Sequence, residues 1–280
     1  MSEIYRNGSK IWYDIKGDKD GNPLVLIGGF ALLHNQFEFC DPILQNSGIK
    51  TIHWNYRGSG LSDWSLTEPL TLEGWVEDLK AVLDHAGIEK ANIWCTSTST
   101  PIGIRFASKY PERIKTLITY PYYKVDDYWR NVFHAAYWVS HVFGITQLSR
   151  VFAGVVLTPE TLYGPEHFKY EKWAAPIYEK NVNMTTMKEL METLSSIDLT
   201  SDVPRIKCPT LLLMGNESAL NDDESMQSAS FDTLINDFLN LKSDAKVKAV
   251  KGAGSTYCMI TNPEETCDLV LDYLKNQIEI

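Results

Sequence analysis

Short continuous apolar runs, each stopped by glycine or small polar residues, set the rhythm of this chain. Leu24-Val25-Leu26-Ile27 ends in Gly28-Gly29 and reads as a strand buried on both faces. Comparable runs at 50–55, 91–95, 116–120, 209–215 and 246–250 predict further strands. Residues 3–15 predict a β-hairpin, because Asn7-Gly8 supplies the two-residue turn and Ile11-Trp12-Tyr13-Asp14-Ile15 the returning strand. Between the runs the spacing becomes helical. Over 71–87, Leu72, Trp75, Val76, Leu79, Val82 and Leu83 fall on one face and Gly87 stops the helix. A helical segment is expected over 34–46, another around 231–239, and a last one from Pro263 onward. Strands alternating with helices predict an α/β fold with a mostly parallel central sheet covered by helices on both faces.

From 121 to 196 the alternation stops. Trp129, Phe133, Tyr137, Trp138, Val142 and Phe143 suggest amphipathic helices, interrupted near Gly144, Gly154, Pro159, Gly164-Pro165 and Pro176. This stretch predicts an inserted helical cap on a core made of 1–120 and 197–280.

One junction in the pattern carries chemistry. The strand Ala91-Asn92-Ile93-Trp94-Cys95 runs into Thr96-Ser97-Thr98-Ser99-Thr100, and Pro101-Ile102-Gly103-Ile104-Arg105-Phe106-Ala107 continues as a helix. A serine on such a strand-to-helix turn projects above the sheet, provided that the residues two before and two after it are small. Ser97 has Cys95 and Ser99 there, so C-x-S-x-S replaces the usual G-x-S-x-G. A hydroxyl-rich loop with no chemistry fits these five residues equally well.

Composition narrows the classes. The 280 residues are 44% hydrophobic and 22% charged, enough for a large α/β domain with a sizeable core. A formal net charge of −10 and no basic run argue against a nucleic-acid surface. No apolar stretch is long enough to span a bilayer and the first residues lack the apolar core of a signal peptide, which leads us to expect a cytoplasmic protein. The 5 cysteines are widely spaced without C-x-x-C, so neither a disulfide framework nor a zinc site is suggested, and no cofactor motif appears.

Four landmarks in order resemble the α/β-hydrolase superfamily. Gly28-Gly29-Phe30 stands where its oxyanion segment lies; Asn55-Tyr56-Arg57-Gly58-Ser59-Gly60-Leu61-Ser62-Asp63 is similar to its D-x-R-G-x-G-x-S-D loop except at Asn55. Cys95 to Ala107 resembles its nucleophile elbow, and Lys251-Gly252-Ala253-Gly254-Ser255, with Asn262-Pro263-Glu264-Glu265, its closing P-G-A-G-H and N-P-E-E pattern. The resemblance implies Ser97 as nucleophile, with the amides of Phe30 and Thr98, beside Gly29, as the oxyanion hole.

The departures matter as much. The resemblance puts Ser255 at the histidine position and Ser218 at the acid position, and no histidine follows His167. A serine hydroxyl needs an adjacent base, which Ser255 cannot supply. His34, shortly after the oxyanion segment, is the first candidate for a replacement; His53, His85, His134, His141 and His167 are weaker. Asp126 and Asp127, or Glu217, Asp222 and Asp223, are candidate carboxylates, and Cys258 a candidate thiol, although a solvated acidic loop and a core thiol account for them too. Trp129 and Tyr137 are expected among the rings lining the pocket. Three functions stay open: a lyase, cyclase or isomerase acting on a small apolar carbonyl compound through oxyanion dipoles; an ester or C–C bond hydrolase with a relocated base; and an inactive relative binding a small molecule or a protein.

Overall fold

Asn7 and Gly8 both take positive φ, 51° and 79°, and turn β1 (Ser2–Arg6) antiparallel onto β2 (Ser9–Gly17). The computed structural model describes residues 2–64, 67–156, 166–217, 231–254 and 256–277. Its sheet has 8 strands in the order β1-β2-β4-β3-β5-β6-β7-β8, where β3 is Asn22–Ile27, β4 Ile49–Trp54, β5 Ala91–Cys95, β6 Ile114–Thr119, β7 Thr210–Glu217 and β8 Lys246–Gly254. β2 runs antiparallel to β4, and all strands from β4 to β8 are parallel. This is the mostly parallel α/β sheet that the pattern of runs predicts, in the α/β-hydrolase fold that the resemblance implies.

The apolar runs are continuous because both faces are covered. Val25, Ile27 and Ile93 face one core with Val76 and Leu79 of α2 (Leu72–His85) and Ile104 and Phe106 of α3 (Thr100–Lys109). Leu24, Leu26 and Trp94 face the other, with Leu44 of α1 (Asp41–Asn46) and Val270 and Leu274 near the C-terminus. Alternate residues of one strand thus feed opposite cores.

The strand order fixes the place of the site. The chain moves from β3 outward to β4 and returns to β5 on the other side of β3, so the crossover direction reverses there, and loops at such a switch point form a crevice. Ile27 pairs with Cys95 at the strand ends, so the segments that follow them leave the sheet side by side.

The helix expected over 34–46 is in fact two pieces. A short 3-10 helix, Leu33–Phe37, is separated from α1 by residues 38–40, and Pro42 sits in the first turn of α1, where its missing N–H costs nothing. Between β6 and β7 lie α4 (Asp127–Phe143), α5 (Gln147–Val156), α6 (Glu166–Asn181) and α7 (Met184–Ser195). They meet the loops after the parallel strands. Asn181 accepts from Gly60 N–H at 2.9 Å, Thr186 Oγ1 donates to Gly58 O at 2.8 Å, and Phe152 lies 5.8 Å from Phe30, ring centre to ring centre. Among the described residues no helix is long and apolar enough to cross a membrane.

Candidate active site

Ser97 has φ +55°, a left-handed backbone that L residues other than Asn and Asp rarely adopt. The turn holds it there through its neighbours. Ser99 Oγ accepts from Thr96 N–H at 3.2 Å and donates to Ile27 O at 2.6 Å, so the residue two after Ser97 ties the turn to the end of β3. Two before it, Cys95 is accommodated by Gly103 on α3: a Cβ at Gly103 would come within 2.3 Å of Cys95 Sγ. The small-residue requirement is therefore met by a thiol facing a glycine. Cys95 Sγ bonds Thr119 Oγ1 at 3.3 Å, and burial pushes its pKa up to about 12, so it is a packing group.

Gly29 faces this turn across the crevice. A Cβ at Gly29 would lie 2.7 Å from Ser97 Cβ and 3.0 Å from its Oγ. Gly29 N–H donates to Gln36 Oε1 at 2.7 Å, and Gln36 Nε2 donates to Thr256 O at 3.0 Å. Thr96 Oγ1 also donates to Thr256 O, at 3.4 Å. Gln36 is 1% exposed, so one buried carboxamide joins the Gly28-Gly29-Phe30 segment to the chain just beyond β8. Sequence reasoning missed it, since a lone glutamine belongs to no motif and its partner lies 220 residues away.

The segment after Gly29 is contorted and clamped. Ala31 and Leu33 take φ 65° and 50°; Leu33 N–H donates to Gly29 O at 2.9 Å, and Asn181 Nδ2 from α6 donates to Ala31 O at 2.8 Å. Within it, Phe30 N–H donates to Thr98 Oγ1 at 2.6 Å. The amide expected as a free oxyanion donor is thus already engaged by the side chain next to Ser97. Among the described residues, no hydrogen bond holds Ser97 Oγ and no acceptor takes the Thr98 hydroxyl proton.

His34 is directed elsewhere. Its Nδ1 is 3.1 Å from Asn55 Nδ2, its ring lies 4.8 Å from that of Trp12, and it lines a cleft of about 560 Å³ with Lys16, Asn35, Glu38, Asp41, Pro42, Gln45 and Asn46. Burial lowers its pKa to about 4, with the nearby His53 adding to the effect. It is neutral at pH 7, and no hydrogen bond among the described residues links it to Ser97. Asn55, where the superfamily loop has aspartate, also accepts from Leu61 N–H at 3.1 Å and so pins that loop.

The remaining candidates scatter. His53 bonds Asp41 at 2.8 Å, His85 bonds Tyr13 at 2.8 Å, and His134 and His141 are exposed. Asp126 caps α4, accepting Trp129 N–H at 2.9 Å, a role that an acidic residue just before a helix signals; Asp127 pairs with Arg130. Trp129 packs on Tyr122, 6.1 Å away, and Tyr137 stacks on His141, 6.0 Å away, ring centre to ring centre. Cys258 is buried, and burial pushes its pKa up to about 12. Ser255, Ser218, Asp222 and Asp223 lie outside the described residues. On either side of position 255, β8 ends at Gly254 and Tyr257 meets Tyr170 of α6, 5.6 Å between ring centres.

Relatives agree with this architecture. A family model described as serine aminopeptidase, S33, matches residues 23–244. The chain is similar to a proline iminopeptidase of Lactobacillus helveticus, 25% identical over 232 residues, which is 75% of this chain and 79% of the relative. Among solved structures it is similar to MGS-M2, an α/β hydrolase from a deep-sea metagenome library, with a TM-score of 0.80 at 21% identity, covering 98% of this chain and 97% of that one. An enol-lactonase from Burkholderia xenovorans LB400 superimposes with a TM-score of 0.80 at 17% identity, over 98% of this chain and 100% of that one. The match to the family model spans most of the chain, and the sheet order and the elbow are those of the fold: the chain belongs to the serine aminopeptidase S33 family of α/β-hydrolases.

Proposed function

We propose that this chain is an enzyme that binds a small apolar carbonyl compound at the Ser97 turn and converts it without a Ser-His-acid triad, as a lyase, cyclase or isomerase does. The observation that carries this reading is the positive φ of Ser97. A left-handed serine costs on the order of 1–2 kcal/mol and persists only where packing enforces it, commonly where strain serves function.

The surrounding chemistry supports a carbonyl or enolate oxygen as the group bound. Ser97 and Thr98 offer hydroxyl protons, and among the described residues no Lys or Arg hydrogen-bonds residues 28–33 or 96–100, which makes a phosphate a poor fit. The reading finds no base for acyl transfer: no histidine follows His167, and His34 is engaged with Asn55 and made a weak base by burial. Rate would come from positioning and hydrogen bonding in a site that the helices between β6 and β7 cap. Hydrolysis with a relocated base is the second reading, favoured by the hydrolase names of the relatives.

Thermal-shift screening of matched apolar carbonyl compounds and phosphorylated metabolites tests the proposal. Selective stabilisation by carbonyl compounds, lost in a pocket-blocking Ser97→Trp variant, is expected. Stabilisation by the phosphorylated set, or equal shifts in the blocked variant, would overturn it.

A further inference from the structure

We propose that the hydroxyl of Thr98, not the amide of Phe30, hydrogen-bonds the ligand's carbonyl oxygen; this rests on the carbonyl-binding reading above. The Phe30 N–H has one proton, and at 2.6 Å it is committed to Thr98 Oγ1. Turning that amide toward a ligand would mean rebuilding its segment. Gln36 holds the residue before it, Asn181 holds the carbonyl of the residue after it, and Ala31 and Leu33 are fixed in left-handed conformations.

Thr98 therefore acts as a relay. Its oxygen accepts the amide proton and its own proton stays available, since no acceptor among the described residues takes it. A hydroxyl that accepts one hydrogen bond donates a stronger one, because each bond polarises the next. The relay also displaces the bound oxygen. An oxygen held by the hydroxyl sits outward from the position that the amide would give it by about one O–H···O length, roughly 2.7 Å. Attack by Ser97 requires its oxygen about 3 Å from the carbonyl carbon in a geometry that the oxyanion donors themselves fix. A carbonyl recognised through Thr98 is bound and polarised but displaced from that geometry, consistent with a site that does not acylate.

The test uses acetonaphthone and ethylnaphthalene, which share a shape and differ in the carbonyl, with dissociation constants measured by tryptophan fluorescence. Wild type and Thr98→Ser should prefer the ketone by about 5- to 10-fold, the worth of one net hydrogen bond. Thr98→Val should bind both equally, with its affinity for the hydrocarbon unchanged. A ketone preference that survives or grows in Thr98→Val would overturn the relay and return the role to the Phe30 or Thr98 amide or to the Ser97 hydroxyl. Equal binding of both probes by wild type would overturn it too, and binding of neither would overturn the carbonyl reading on which it stands. If Thr98→Val does not fold, a crystal structure of the wild type with the ketone decides. The ketone oxygen is expected on Thr98 Oγ1 with the Phe30–Thr98 bond intact; that oxygen on Phe30 N would contradict the relay.

Discussion

Gly29 and Ser97 approach so closely that no side chain can stand between them: a Cβ on Gly29 would be 2.7 Å from Ser97 Cβ. The segment at Gly29 and the turn at Ser97 therefore share one space. Gly29→Ala should destabilise the chain by about 1–3 kcal/mol, the usual cost of overpacking, and should abolish stabilisation by carbonyl ligands. Urea denaturation and thermal shift read the two effects separately.

Ser97→Gly should act in the opposite sense on stability. Glycine adopts φ +55° without strain, and the gain should be about 1 kcal/mol after its larger unfolded-state entropy is set against it. Ligand-induced stabilisation should fall with the loss of the hydroxyl. A loss of stability in this variant would remove the argument that the turn stores strain for function.

Gln36→Leu should be costly although Gln36 touches no ligand in this account. It leaves the Gly29 N–H unpaired in a buried setting, which costs about 1–3 kcal/mol, and removes one hydrogen bond worth about 1 kcal/mol from the Thr256 carbonyl, which keeps the Thr96 hydroxyl. A fall of roughly 2–4 kcal/mol in unfolding free energy is expected. Hydrogen exchange at the Gly29 amide should accelerate relative to that of a strand amide such as Val25, and unchanged protection would contradict the role of Gln36 as a latch.

The pH dependence of stability has a sign set by His34. Its folded pKa, about 4, lies below the unfolded value of 6.5, so the unfolded chain binds more protons between these limits. Its contribution is full above pH 6.5 and is lost as pH falls toward 4. Urea midpoints of His34→Gln should fall less steeply over this window than those of the wild type. Identical slopes would show that His34 is not buried in its neutral form.

Much of the fold was legible because it rests on local rules. The Asn7-Gly8 turn, the apolar runs of a doubly covered sheet and the one-sided face of α2 each announce themselves within a dozen residues. The elbow was legible too, through its small flanking residues, though not the means: only the packing reveals that Gly103 makes room for Cys95 and that the Ser99 hydroxyl ties the turn to Ile27. What the chain alone could not disclose are pairings between distant residues. Thr98 with Phe30, Gln36 with Thr256 and Asn181 with Ala31 join segments 68, 220 and 150 residues apart, and nothing in their local pattern marks them. His34 misleads for the same reason. Its place after the oxyanion segment suggests the pocket, but the 3-10 turn at Leu33–Phe37 carries it to Asn55 and Trp12.

The central proposal is that Ser97, which no base among the described residues hydrogen-bonds, is not an activated nucleophile. Wild type and Ser97→Ala are incubated with a fluorophosphonate probe at neutral pH, and modification is followed by intact-protein mass and peptide mapping. The expected result is no stoichiometric adduct on Ser97 over several hours, with the two proteins indistinguishable. Rapid one-to-one labelling of Ser97, absent in Ser97→Ala, would contradict the account and establish an activated nucleophile.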